Sequence, residues 1–405
     1  MPLAYRRLLI LLLALMIPAS ATGQAGSDSQ ATITIGASAS ELDTRIDPVA
    51  GVGQAANRMA DLGLDALLPR SSDRSARGAW TRLARLWFVN LPVASLAHNY
   101  IHDAGHLARL REFGVPSFDK DITSWPWPIP VTISIERIDE NAPLSLEQEV
   151  AIQAAGEGAA RALADRMLDR IYRGEQANYF DWVLFGYAKI DFSTYGLTDL
   201  SNDRIDGDFS AYTWQRVWLE ESREPDRRYA FYVSQLRHAA LWSLADYSLV
   251  SALNSVGRYL VTGQRHTPNP VLRLGPVGLV PGAYADLTPD GPERGADLRL
   301  VTRAHLTTLS LGAVDTATGT RLWRAAGSLH SRLDTRPMPE VRASLWQQDA
   351  SSIGGSVEIG ARGRVAVGAA RLGIVGSIGY KTRGYMSSQP LKASPLASIS
   401  VSGVF

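Results

Sequence analysis

The sequence predicts an α+β protein, with a helical domain over 79–267 followed by a small antiparallel β-barrel of about eight strands over 268–405. Three observations carry that expectation. From Ala79 onward apolar residues recur three and four apart, the spacing of buried helix faces. Past Pro268 glycine becomes frequent, helical spacing fades and apolar residues fall at every second place. Turn-like segments such as "TPDGPERG", "DTATGT" and "DTRPMP" cut this last third into roughly eight runs, the smallest number that closes a transmembrane barrel.

The first element is an export signal. "MPLAYRR" is basic, "LLILLLALMI" is an apolar run too short to span a bilayer, and Pro18 precedes the small-x-small site Ala19-Ser20-Ala21. A signal peptide over 1–21, cleaved after Ala21, is expected. A flexible lead-in over 22–78, rich in Ser, Thr, Ala and Gly at its start, follows it. The chain has no cysteine, so an exported fold must hold together by packing or by a closed sheet. With 41 basic and 40 acidic residues there is no basic excess of the kind a nucleic-acid partner requires. A hydrophobic content of 45% is too low for a bundle of membrane-spanning helices.

"WTRLARLWFVNLPVASLAHNYIHDAGHLARLREF" reads as a helix that Pro92 kinks or splits, ending near Gly114 with Arg109 and Arg111 at the negative end of its dipole. "SWPWPIPVTISIERI" is a proline-broken approach to one short strand. A strong helix follows from Leu144 to Tyr172, with Ser145 and Gln148 at the spacing of a capping box. "FDWVLFGYAKIDFSTYG" and "YAFYVSQLRHAALWSLADYSLVSALNSVGRYLVTG" predict at least two further helices. The acidic loop between them, around Asp203, Asp206 and Asp208, lacks EF-hand spacing and reads as solvated.

In "SVEIGARGRVAV" and "RLGIVGSIGY" the apolar set alternates cleanly, and the last residues, "ASISVSGVF", place Ala397, Ile399, Val401 and Gly403 at every second position before Phe405. This ending resembles the C-terminal strand of Gram-negative outer-membrane barrels, with Gly403 departing from the aromatic often found there. The resemblance implies an outer-membrane location with lipid as partner. The same alternation also fits a soluble sheet, because lipid-facing and core-facing residues look alike in sequence.

Three of the seven histidines, His98, His102 and His106, stand four apart and share one helix face. Two imidazoles one turn apart can bind one metal ion. His98, rotated a further step of about 40°, reads as a supporting polar residue. The string His102-Asp103-Ala104-Gly105-His106 resembles the HExxH motif of zinc peptidases. It is nearest the HEAGH form of some membrane-associated ATP-dependent proteases and the HExGH form of site-2-type proteases, with Asp103 where the family has Glu. That resemblance, over about 18 residues, implies a zincin-like helical domain, zinc on His102 and His106, and Asp103 as general base. A third ligand is needed. Glu157, an acid in a small, apolar stretch, is the expected one, with Asp165 as second choice and a salt bridge from Glu157 to Arg161 as the ordinary alternative. The site-2 family instead takes an aspartate from an Asp-Gly segment near prolines, for which no convincing copy is found. Asp246 is the only similar acid within a helix.

The expected function is metal-dependent hydrolysis, of a peptide or protein, by an exported protein anchored in the outer membrane with its helices facing the periplasm. The alternative is a non-catalytic outer-membrane barrel with a helical plug or periplasmic domain.

Overall fold

Pro92 breaks the first long helix as its chemistry requires. In the computed structural model α1 (Ala76–Arg85), capped by the Ser75 side chain, runs through a π-helical turn at Leu86–Asn90 into α2 (Leu91–Glu112). The Leu91 N–H reaches back five residues to the Leu86 carbonyl, and Pro92, which has no N–H to give, falls in the first turn of α2. Gly114, at φ 77°, ends α2 in the left-handed conformation, with the Val115 N–H closing on the Leu110 carbonyl at 3.0 Å. Residues 32–38, 74–115, 117–124, 131–137, 143–173, 177–198, 207–266, 271–332, 338–348, 352–367, 370–385 and 391–404 are described, with a few single positions between them. The expected signal peptide, the "WPWP" segment, Asp203, Asp206 and Phe405 lie outside the described residues.

Where one short strand is expected there are two, β2 (Ser117–Ser124) and β3 (Val131–Arg137), paired antiparallel. The capping box forms: the Ser145 N–H donates to Gln148 Oε1 and the Gln148 N–H to Ser145 Oγ, opening α3 (Leu146–Arg173). Next come α4 (Tyr179–Thr198), α5 (Asp208–Leu219), α6 (Pro225–Ser243) and α7 (Tyr247–Thr262). Asp246 caps α7 by accepting from the Ser248 N–H at 2.7 Å, which splits the second aromatic stretch into two helices.

The strands β4 (Leu272–Leu274), β5 (Val277–Thr288), β6 (Gly291–Val301), β7 (His305–Asp315) and β8 (Arg321–Ser331) continue into β9 (Met338–Gln347), β10 (Ile353–Val367), β11 (Ala370–Lys381) and β12 (Ser394–Val404). From β5 on each pairs antiparallel with its predecessor, and β1 (Thr32–Ser38), drawn from the lead-in expected to be flexible, pairs with β12 to make a ten-stranded sheet. The closed barrel expected from the strand count is not formed. Among the described residues no pairing joins β1 to β4, and the sheet stays open. The reason lies at the β4 edge. β4 has only three residues and pairs with the start of β5 alone, and the second half of β5 is buried against helices, with contacts to α3, α6 and α7, and pairs with no strand but β6.

The two faces of this sheet are reversed relative to a soluble α/β layer. Outward-facing Leu345, Ile353 and Ile378 are 61%, 75% and 72% exposed, in rows with Leu309, Trp323 and Ile359. The face toward the helices carries Glu293, Asp297, Arg299, His330 and Glu340, all buried. α3 answers that polar face with its own charges. Arg299 Nη2 meets Asp165 at 2.7 Å, Arg161 meets Asp286 at 3.1 Å, and Arg173 meets Glu340 at 3.4 Å. The opposite side of α3 is small and apolar and packs on α2 and α4 around Ile101, Leu163, Met167 and Phe185. There Gly105 of α2 lets the helices touch: a Cβ at this position would stand 2.2 Å from the Ala155 carbonyl oxygen.

His330 sits wholly buried between Asp169 and Glu340, with Arg173 and Arg342 nearby. Burial pushes its pKa below the ordinary 6.5; Glu340 opposes that shift and Arg173 adds to it. The unfolded chain thus takes up this proton at a higher pH than the folded one. The contribution to stability is complete above about pH 6.5 and is lost as pH falls through the folded value. The gap in melting temperature between wild type and His330→Asn is therefore expected to be widest near neutral pH and to narrow toward about pH 5. A gap constant across that range would contradict this account.

Candidate metal centre

α2 places His98, His102 and His106 along one buried face, opposite α3, α4 and the first turn of α5. Each imidazole is oriented by an acceptor on one side. His106 Nδ1 lies 2.7 Å from the Ile152 carbonyl of α3, which can only accept, so Nδ1 carries the proton. His102 Nδ1 lies 2.9 Å from Asp191 Oδ2 of α4, and the same oxygen is 3.3 Å from His98 Nε2. Tyr195, one turn along α4, stacks on the His102 ring with centroids 5.6 Å apart, fixing its plane.

With Nδ1 engaged by an acceptor in each ring, the two Nε2 atoms are the ones free to meet a metal ion, and they converge. His102 Nε2 and His106 Nε2 are 3.2 Å apart, and Asp208 Oδ2, in the first turn of α5, lies 2.9 and 3.4 Å from them. Three atoms of ligand type face one point. Ligand atoms held tetrahedrally at the 2.0–2.1 Å of a zinc–nitrogen or zinc–oxygen bond stand about 3.3 Å apart, so the triangle has the right size. The space in front of the rings is kept by Gly156 of α3, where a Cβ would come within 2.4 and 2.5 Å of the two Nε2 atoms. Asp208 is about a quarter exposed (28%), whereas both imidazoles are buried.

The local field favours positive charge at this point. Burial alone would lower the His102 pKa, but Asp191 and Asp208 hold it well above the ordinary value. Burial likewise disfavours the charged forms of Asp191 and Asp208, yet His98 and His102 for the first, and His106 and His102 for the second, hold both far below the usual carboxylate range. A proton and a metal ion answer the same field. Two groups can hold an ion, His98–His102–Asp191 and His102–His106–Asp208. They share His102, so one ion bound at Nε2 with Asp191 steadying Nδ1 uses the ring once, as orienting carboxylates commonly do.

Of the residues expected from sequence, His102 and His106 come together and His98 supports them through Asp191. Asp103 is half-buried on the adjoining side of α2 and enters neither group. Glu157 is next to Gly156 and fully buried, but the carboxylate that meets both Nε2 atoms is Asp208. Glu157 instead faces a small cavity with Lys189, Asp246 and Tyr284. Burial first, then the charge of Asp191, pushes its pKa well up. Arg161, its expected partner, pairs with Asp286, Asp165 pairs with Arg299, and Asp246 binds Lys189 at 2.7 Å. Asp191 and Asp208 were missed. Asp191 carries the signal used for Glu157, an isolated acid in an apolar, aromatic helix. Asp208 directly follows an Asp-Gly pair but lies away from the prolines sought beside it. No protein-family model, curated protein or solved structure matches the chain.

Gly156→Ala is expected to remove metal binding, although Ala is the better helix former by about 1 kcal/mol, because its Cβ fills the space before the rings. Metal content after purification, with circular dichroism to confirm the helices, checks this; full occupancy in the variant would contradict it.

Proposed function

We propose that this chain is a zinc-dependent hydrolase of the cell envelope, acting on peptide bonds. One observation carries the reading: His102 Nε2, His106 Nε2 and Asp208 Oδ2 converge on one point, 2.9 to 3.4 Å from one another. The resemblance of His102–His106 to the HExxH peptidases supports a peptide substrate, and two imidazoles with a carboxylate suit zinc. A bound zinc ion would supply Lewis acidity, polarising a carbonyl and acidifying water. His102, His106 and Asp208 hold the ion, while Asp191 and the Ile152 carbonyl keep the ring tautomers that leave Nε2 free. In this reading the general base is Glu157, in place of Asp103. Glu157 lies beside Gly156, close enough that the charges of Asp191, His102 and Asp208 act on its buried carboxyl, and its Oε1 has no hydrogen-bond partner.

The outer membrane is the proposed location. The sheet turns aliphatic residues outward and charges inward, the arrangement of a lipid-embedded strand set and the inverse of a soluble one. Trp80, Leu253 and Val261 extend this exposed apolar surface onto α1 and α7. No helix among the described residues is long and apolar enough to cross a membrane, so contact with lipid would fall chiefly to the sheet. A second reading, a plug domain in which the ion only braces helices, draws on the burial of both imidazoles and of α3 against the sheet.

About one zinc per chain is expected in the purified protein and none in His102→Ala, His106→Ala or Asp208→Asn. Glu157→Gln is expected to keep zinc but lose roughly 10²–10⁴-fold in peptide turnover, with Asp103→Asn close to wild type. Equal zinc in all variants would sink the site; full zinc without turnover would leave the plug. Binding to phospholipid vesicles is expected to fall in Ile378→Asp, and vesicle binding unchanged by that charge would count against the membrane face.

A further inference from the structure

α7 is built inside out. Its buried side carries Ser248, Ser251 and Ser255, while Val250, Leu253 and Val261 stand on its exposed side, Leu253 at 74%. A helix on the surface of a soluble protein does the reverse, with its apolar stripe inward and its serines out. The polar residues on the exposed side are Asn254 and Arg258. The same inversion runs onto α1 and the π-helical turn through Trp80, Leu83 and Trp87, and onto β4 through Leu272 and Leu274. The ends of α7 are closed as well. The last four carbonyls of a helix have no partner within it, and on a soluble surface water is the ready one. Here Arg82 of α1, wholly buried, donates from Nε to the Leu260 carbonyl at 2.8 Å and from Nη2 to the Val261 carbonyl at 3.1 Å. The Gly263 N–H closes on the Tyr259 carbonyl at 2.9 Å, and at the other end the Asp246 carboxylate takes the Ser248 N–H.

We propose that α7, with α1 fastened to its end, faces lipid acyl chains and continues the wall of the sheet past its short β4 edge. The inference rests on the outer-membrane reading and adds a helical panel to it. Hydrocarbon offers no partner to a peptide group, so backbone closure of the kind Arg82 provides is what lipid demands and water does not. A sheet left open in lipid exposes the backbone of its edge, whereas a helix pairs its own peptide groups and borders the sheet without adding an edge. α7 lies against β5, beside β4, and its 16 residues make it about 24 Å long, close to the roughly 25 Å apolar band of outer-membrane barrels. It is apolar on one side only, because its serines meet protein, and it serves as part of a wall and not as a spanning helix. Arg258, one turn from the end, has the reach to carry its charge to the headgroup level. Lipid is the one occupant that also covers the outward aliphatic rows of the sheet, with which this surface is continuous.

The chain has no cysteine, so Leu253→Cys, Ile378→Cys and Arg227→Cys each accept a single nitroxide label. All three positions are exposed, and Arg227, with 85% of its side chain exposed, serves as the water reference. The labelled full chains, at the melting temperature of wild type, are reconstituted into phosphatidylcholine–phosphatidylglycerol vesicles. Electron paramagnetic resonance then compares collisions with oxygen, which concentrates in lipid, and with a water-soluble nickel chelate. The oxygen-to-nickel ratio is expected to be severalfold higher for Leu253→Cys than for Arg227→Cys, and the Ile378→Cys label reports the sheet separately. A lipid-like ratio for Ile378→Cys with a water-like one for Leu253→Cys overturns the inference and leaves the outer-membrane reading standing. Water-like ratios at all three positions overturn both. Shielding of the Leu253→Cys label from both reagents, with or without spin–spin broadening between copies, means that protein covers α7 and overturns the inference.

Discussion

The close crossing of α2 and α3 is the constraint on which the rest of this structure depends. Gly105 lets the α2 backbone settle against the Ala155 carbonyl, and the next residue of α3, Gly156, stands opposite the two Nε2 atoms. Two glycines within helices each give up about 1 kcal/mol of helix propensity, and what is gained here is proximity. A larger residue at 105 would push α3 away and take the Ile152 carbonyl off His106; a larger residue at 156 would fill the point the rings share. Because α3 is held to α2 by its small side, its long polar side is left to face the sheet, and the charges there follow from that single choice of orientation.

That orientation also explains what could and could not be read from sequence in the β region. Alternation marked the strands well: the outward set at 357, 359 and 361, and at 374, 378 and 380, is the set quoted from the sequence. Period two cannot say which face meets water, lipid or helix, since a one-residue shift exchanges the faces without changing the pattern. Only placing Asp165, Asp169 and Arg173 of α3 against Arg299, His330 and Glu340 settles which side is inner. Closure is hidden from the sequence for a related reason. A count of runs near eight fits a barrel, but the sequence carries no local sign that α6 and α7 occupy the flank of β5.

At the metal centre, local chemistry was legible and long-range partners were not. Pro92, Gly114 and the Ser145–Gln148 box fall where dipeptide and capping rules put them, and the four-residue histidine spacing puts two rings on one face. The carboxylates that meet those rings come from α4 and α5, 89 and 106 residues beyond His102 in sequence, and the spacing of one helix says nothing of them. Glu157 was chosen as an isolated acid among small residues; it proves buried and adjacent, on the neighbour of the residue that makes room.

Whether the converging atoms hold a proton or an ion is an electrostatic question that counting can address. One proton on His102 Nε2 satisfies its contact with Asp208 but leaves the His106 lone pair facing the same carboxylate at 3.4 Å. A second proton, on His106, would set two N–H groups toward each other across 3.2 Å, with like charges on both rings. Neither count satisfies all three pairs. A divalent cation would do so in one step and would need no Cβ space, because residue 156 has none. The same reasoning keeps Asp191 out of the coordination shell, since its oxygen is already engaged by His102 Nδ1 and drawn toward His98.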